Sequence, residues 1–388
     1  MAVEELPATD VLEPAPPGED DGRDEAAGER RFRPSPLGWA GRGAAWGLLA
    51  WVVLAYPVNA LSPFTVESLE AQHAAQAVVF AIIGLSLNVL LGYAGQISLG
   101  HQAFVGIGAF TSAYMVTKVG QDFYLAVLVA AGVGALQAAV LGGVALRVTG
   151  LYFALVTLSY GILAEDSLFN IQSLTGGQAG IESPRPTGFE SNYRYYYLCL
   201  AFLAVVLWLD WRMMRTKGGR ALLALRENPR VAATLGINVK AFTLFAFAVS
   251  GAFAGVGGAL FGHLDPTVVS VPFSLPLALV FVAMTTVGGL RSRSGVIISS
   301  AVVALLDELV EMLGQVPILR MEHRLDQINL PVEFAPIIFL PILVLLTLTL
   351  YPGGIGQGIA PVRQWLAGRR FDLHVGAEKE VQVTDVRA

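Results

Sequence analysis

Charge is scarce in this chain. Asp, Glu, Lys and Arg make up 14% of its 388 residues, against 54% hydrophobic. A soluble domain carries about 25% charged side chains, so the deficit excludes an ordinary water-soluble fold and points to lipid. Lysine is scarcer still, confined to Lys118, Lys217, Lys240 and Lys379. None of these follows a glycine and precedes Ser or Thr, so there is no phosphate-cradling nucleotide loop. The five histidines show no zinc spacing, and no Gly-x-Ser-x-Gly elbow presents a serine nucleophile. The single cysteine, Cys199, excludes a disulfide within the chain; in an apolar run it reads as packing. Catalysis is not expected, and neither a bound cofactor nor nucleic acid is an expected partner.

What is present is apolar sequence in long runs. Spanning a bilayer takes about 20 mostly apolar helical residues. Ten stretches qualify: 44–61, 73–92, 102–119, 123–146, 151–168, 195–211, 241–261, 274–290, 295–313 and 334–351. The fold expected is an all-α polytopic membrane protein of about ten transmembrane helices. Lys and Arg concentrate on the cytoplasmic side of membrane proteins. With both termini inside, only Lys118, Arg185, Arg194, Arg320 and Arg324 of the 25 basic residues fall outside. Residues 1–43 read as a disordered acidic cytoplasmic tail, too poor in apolar side chains to bury a core. Residues 44–351 form the membrane domain and 352–388 a second cytoplasmic tail. No basic start followed by an apolar run suggests a cleaved signal.

Two polar islands interrupt the oil. "GYAGQISLGHQ", residues 92–102, lies between the second and third spans and has no charged side chain. It is too apolar on both flanks for a loop and too rich in glycine for a helix. Irregular backbone at membrane depth survives where protein or water satisfies it, and broken helices of this kind build solute sites in transporters. Gly95, Gln96, Ser98, Gly100 and His101 are therefore candidates for a solute path through a broken or re-entrant segment; a tight turn with His101 capping the next helix is the plainer alternative. "LTGGQAGI", residues 174–181, adds Gly176 and Gly177 from an outer loop. Glu165, Asp166, Asp307, Glu308 and Glu311 lie in or near spans, where carboxylates are costly; they fit either attraction of a cationic amino group or interfacial helix ends.

The connection 218–240 is the most informative soluble segment. Gly218 and Gly219 are expected to break the outgoing helix, and "RALLALRE" reads as a short amphipathic helix. Asn228 then suits an N-cap and Pro229 the first helical position. A two-turn helix over Arg230 to Leu235 follows, containing Ala232 and Ala233, with Gly236 placed to end it in the left-handed region. Flanked by Arg226, Glu227 and Arg230, this short helix has the form of a rigid knob for another protein's groove. An amphipathic helix lying on anionic lipid is the alternative.

Four stretches together resemble the permease family of branched-chain amino-acid ABC importers, in its LivM-like half: "GYAGQISLGHQAFVGIGAF" (92–110), "GLYFALVTLSYGIL" (150–163), "LTGGQAGI" (174–181) and "GGRALLALRENPRVAATLGINVKAFTLFAFAVSGAFAGVGGALF" (218–261). The resemblance implies a multi-pass subunit of the plasma (inner) membrane. Its implied partners are a second homologous, LivH-like permease, two ATP-binding subunits that hydrolyse ATP, and an extracytoplasmic solute-binding protein. "RVAATLG", 230–236, occupies the place of the family's ATPase-coupling segment. The sequence departs from the family at "GGLRSRSGV", where Arg291 stands at a glycine and Val296 at a proline. Relatives handle branched-chain amino acids, urea, short amides and aromatic acids, and the competing class is a self-sufficient secondary carrier or channel.

Overall fold

The computed structural model describes residues 42–48, 51, 53, 69–148, 150–305, 344–347, 349, 351 and 353–366. The apolar runs fold as helices because only a helix satisfies its own backbone inside an apolar stretch. In chain order these are α1 (Leu69–Leu87, continued as a π-turn Asn88–Tyr93), α2 (His101–Thr117), α3 (Phe123–Ala145) and α4 (Leu151–Asp166). Then come α5 (Asn192–Arg215), α6 (Lys217–Glu227), α7 (Pro229–Thr234) and α8 (Val239–Gly262). α9 (Leu275–Gly288), α10 (Arg293–Ala304) and α11 (Ile355–Leu366) follow. Among the described residues, five helices are long and apolar enough to cross a membrane: Ala71–Tyr93, Phe123–Ala145, Leu151–Asn170, Asn192–Arg215 and Val239–Gly262. Of the ten expected spans, 44–61 and 334–351 lie mostly outside the described residues, and 295–313 does so beyond 305, together with Asp307, Glu308 and Glu311.

α1 is the centre of the bundle: 83% of its apolar window is buried, against 28% for Leu151–Asn170. The tightest seam joins α8 to α3 and α2 through small residues. A β-carbon at Gly251 would run into the Gly134 carbonyl, one at Gly255 into that of Ala130, and one at Gly258 into that of Val105. Close approach of this kind is how helices associate where no hydrophobic force drives them together. The all-α expectation holds apart from one small sheet, in which β1 (Ile181–Glu182) pairs antiparallel with β2 (Thr267–Val268), Ile181 opposite Val268. It joins the loop after α4 to the loop after α8.

One local expectation changes and one side chain gains a defined role. Gly218 and Gly219 do not end the outgoing helix. α5 stops at Arg215, Thr216 turns the chain, and both glycines lie inside α6. A β-carbon at Gly219 would collide with the Met214 backbone, so this glycine permits the fold-back instead of breaking a helix. Glu165 proves to be a helix cap: its Oε2 accepts from the Leu275 N–H at 3.2 Å, at the start of α9, where a negative charge is favoured.

Candidate functional site

The opening polar stretch is built as a broken helix. The Ala94 N–H reaches back to the Val89 carbonyl (3.1 Å) and Gln96 N–H to Leu90 (2.9 Å), which ends the π-turn. Gly95 then takes φ +68°, and the backbone runs without helix or strand to His101. This stretch hangs on α4: the Leu99 N–H donates to Thr157 Oγ1 (3.0 Å). A β-carbon at Gly100 would overlap the Thr157 carbonyl. The start of α2 therefore lies against both α1 and α4. His101 Nε2 pairs with Ser86 Oγ at 2.5 Å, and the Ser250 hydroxyl, halfway along α8, donates to the Ser86 carbonyl at 2.8 Å. His101 is the first residue of α2 and caps nothing; no side chain caps that helix.

Polar atoms cluster there without protein partners. Ser98, His101 and Gln102 are buried to within 1%, yet Ser98 Oγ, His101 Nδ1 and both amide atoms of Gln102 have no hydrogen bond, and neither does Asn88 Nδ2. His101 faces α1 through Ser86, whereas Gln102 faces α4, where a β-carbon on Gly161 would strike its Nε2. Gln96 is half-buried and Gly95 exposed.

Gly176 and Gly177 are not part of this cluster. They take φ +73° and +63° after the helical turn Gln172–Thr175, beside Asn170 and Gln172. Next to this loop, where Thr175 Oγ1 donates to the Phe169 carbonyl, six phenylalanines are linked by ring contacts: Phe80, Phe110, Phe169, Phe261, Phe273 and Phe281. The Phe110 and Phe169 rings lie 5.2 Å apart, and Phe110 stands nine residues, roughly 13 Å, along α2 from His101. An open cleft of about 670 Å³ is lined by Gln72, Glu182, Arg185, Glu190 and Asp265. Its arginine is committed to the fold, donating to the carbonyls of His263 (3.0 Å) and Leu264 (2.5 Å) and to Asn192 Oδ1 (2.6 Å).

At the opposite end stands the expected knob. Asn228 Oδ1 accepts from the N–H groups of Arg230 (3.0 Å) and Val231 (3.3 Å), with Pro229 as the first helical residue. The helix closes with Gly236 at φ +80°. The Ile237 N–H bonds to the Ala232 carbonyl (3.1 Å) and the Gly236 N–H to that of Ala233 (3.0 Å), the paired bonds of a Schellman stop. Ala232 alone is buried; Pro229, Arg230, Ala233 and Thr234 are exposed, as are Val231 at 54% and Leu235 at 74%.

α6 holds this knob to the broken stretch. Arg226 Nη1 donates to the Gly92 carbonyl, and its Cγ would stand 3.0 Å from a β-carbon at Gly95. Arg291 Nη2 donates to Glu227 Oε1 at 2.5 Å, while the Arg291 N–H donates to Asn88 Oδ1 at 3.0 Å. Burial, reinforced by the charge of Arg291, lowers the Arg226 guanidinium from its ordinary value. The Arg291 guanidinium holds the exposed Glu227 carboxyl below the usual carboxylate range.

Sequence reasoning passed over a buried ion pair nearby. Asp210, 1% exposed, accepts from Arg293 Nε and from the Tyr93 hydroxyl (3.2 Å), tying α5 to α10 and to the π-turn. The available signal was a lone carboxylate in the apolar run "LWLDW".

The family described as branched-chain amino acid transport system / permease component matches residues 71–347. The high-affinity branched-chain amino acid transport system permease protein LivM of Salmonella typhimurium is 31% identical over 298 residues, covering 68% of this chain and 70% of that protein. LivM of Escherichia coli K12 shows the same identity and coverage. A probable branched-chain amino acid transport permease protein LivH of Methanocaldococcus jannaschii is 35% identical over 112 residues, 28% of this chain and 35% of that protein. No solved structure matches the chain. A broken helix inside an apolar bundle, a capped knob outside it and a match along most of the sequence thus agree, and the chain belongs to the permease components of branched-chain amino acid transport systems.

Proposed function

We propose that this membrane protein is the LivM-like subunit of an ABC importer of the plasma (inner) membrane. It carries branched-chain amino acids or a related small polar solute inward beside a LivH-like permease. Two separate ATP-binding subunits hydrolyse ATP, and an extracytoplasmic binding protein delivers the solute; this chain binds no cofactor. The proposed topology has ten spans and both termini in the cytoplasm. Residues 94–100 re-enter the bundle, and α2 begins from within it, running 17 residues or roughly 25 Å. An unpaired buried polar atom costs about 1–3 kcal/mol. The set on Asn88, Ser98, His101 and Gln102 therefore fits contact with water or a polar solute, and the cleft lined by Glu182, Glu190 and Asp265 fits the outer mouth of the path.

The observation that carries the partner assignment is α7. Capping at both ends holds a six-residue helix that buries only Ala232 of its own and presents Val231 and Leu235 to the outside. A groove on the ATPase surface is the occupant this knob suits. Purification from native membranes in mild detergent should recover the two ATPase chains and the second permease with this protein. An Ala233→Cys variant should cross-link to an ATPase chain. A chain that purifies alone and moves solute alone in liposomes would end the importer reading in favour of a secondary carrier.

A further inference from the structure

The end of α6 touches the broken stretch at two places. Arg226, two residues before the Asn228 cap, bonds to the Gly92 carbonyl and lies across Gly95. Glu227 holds Arg291, whose backbone N–H binds the side chain of Asn88, the first residue of the π-turn. The segment 88–95 is thus gripped near its start by way of Arg291 and near its end by Arg226. Three to six residues further on come Ser98 and His101. Arg291 adopts φ +72°, the one left-handed non-glycine residue among those described, and its bonds to Asn88 and Glu227 hold it there.

We propose that Arg226 and Arg291 are positioning residues for transport, the struts through which a displacement of α7 reaches the broken segment 88–101. The proposal rests on α7 being the ATPase-docking knob. The chemistry suits the task. Arg226 is a planar multi-donor cation set on a backbone carbonyl, and a charge-assisted bond of this kind is about twice as strong as a neutral one. It acts on a segment whose glycines, Gly92 and Gly95, leave the backbone free to move. α8, the other element joined to α7, packs its glycine seam closely against α3.

The test uses the complete importer and needs no knowledge of the solute. Cys199 is fully buried and is the chain's single cysteine, so an Ile97→Cys variant, at a position 45% exposed, gives this subunit one accessible thiol, whose labelling is read on this subunit's own band. Its maleimide labelling rate is read with and without ATP and vanadate, alongside ATP hydrolysis. In the otherwise native complex, trapping should change the rate at least fivefold. With Arg226→Ala that change should vanish while hydrolysis continues, and Arg226→Lys, which keeps a donor for Gly92, should restore most of it. Glu227→Arg or Arg291→Glu alone should diminish the response, and the two together should recover it. A full response with Arg226→Ala, or failure of both the Lys variant and the charge exchange to respond, overturns the proposal. Should Arg226→Ala not assemble, the Lys variant and the charge exchange decide. The α7 reading fails differently: there, Gly236→Val would leave both ATPase binding and the Ile97→Cys response intact.

Discussion

Gly132 and Gly134 lie two positions apart on α3 and serve opposite ends. A β-carbon at Gly132 meets nothing within 4 Å, whereas one at Gly134 would overlap the Gly251 carbonyl and stand 3.1 Å from Gly255 Cα. Overpacking costs about 1–3 kcal/mol where the surroundings can yield, and a helix backbone yields less than a side chain. Gly134→Val should therefore lower the melting temperature sharply, or prevent recovery of monodisperse protein in size-exclusion chromatography. Gly132→Val should stay within about 0.5 kcal/mol of the native protein. Equal behaviour of the two would mean that α3 and α8 do not meet at this seam. The ion pair of Asp210 obeys a different rule. Asp210 is buried while Arg293 is partly exposed, so loss of Arg293 strands a buried carboxylate, whereas loss of Asp210 leaves a guanidinium that still reaches solvent.

α7 separates backbone effects from packing effects. A β-carbon at Gly236 meets nothing within 4 Å, so a Gly236→Val change acts only through φ +80°, where a β-branched residue costs roughly 1–2 kcal/mol. Asn228→Ala removes the bonds to Arg230 and Val231 at about 1 kcal/mol. Neither touches the bundle. Both variants should reach the membrane in native amount with uptake reduced, Gly236→Val more than Asn228→Ala, while the ATPase subunits keep hydrolysing. Unchanged uptake in both would remove α7 from the coupling route. This element was legible in sequence because its signals are local: Asn-Pro opens it and a glycine closes it within nine residues. The apolar helices were legible for the same reason. Gly218 and Gly219 misled because their role depends on Met214 lying against them, a tertiary fact. The ion pair of Asp210 with Arg293, and the bond from Arg226 to Gly92, join residues far apart in the chain and leave no local mark. Gly176 and Gly177, already legible as an outer loop, stand apart from the buried polar cluster of Ser98, His101 and Gln102.

The charge distribution of the whole molecule sets its direction in the membrane. On the proposed topology, the tip carrying α6 and α7 is cytoplasmic and holds Arg220, Arg226, Arg230 and Lys240. The opposite end carries β1, β2 and the cleft, where the acids Glu182, Glu190 and Asp265 gather around an Arg185 already committed to backbone carbonyls. Basic residues near span ends resist translocation and acidic ones contribute little, so the two ends are not interchangeable. Glu190 and Lys240 are both exposed and lie at these opposite ends. Cysteine placed singly at each position, in intact cells treated with a membrane-impermeant maleimide, should be labelled at Glu190→Cys without permeabilisation. Lys240→Cys should be labelled only after it. The reverse pattern would put α7 outside, away from any ATP-hydrolysing partner, and would overturn the coupling reading together with the topology. Labelling of both positions in intact cells would mean that α5, the one span between them, does not put them on opposite sides of the membrane. The expected pattern places the knob and its struts on the side where ATP is hydrolysed, and the acidic mouth on the side from which solute arrives.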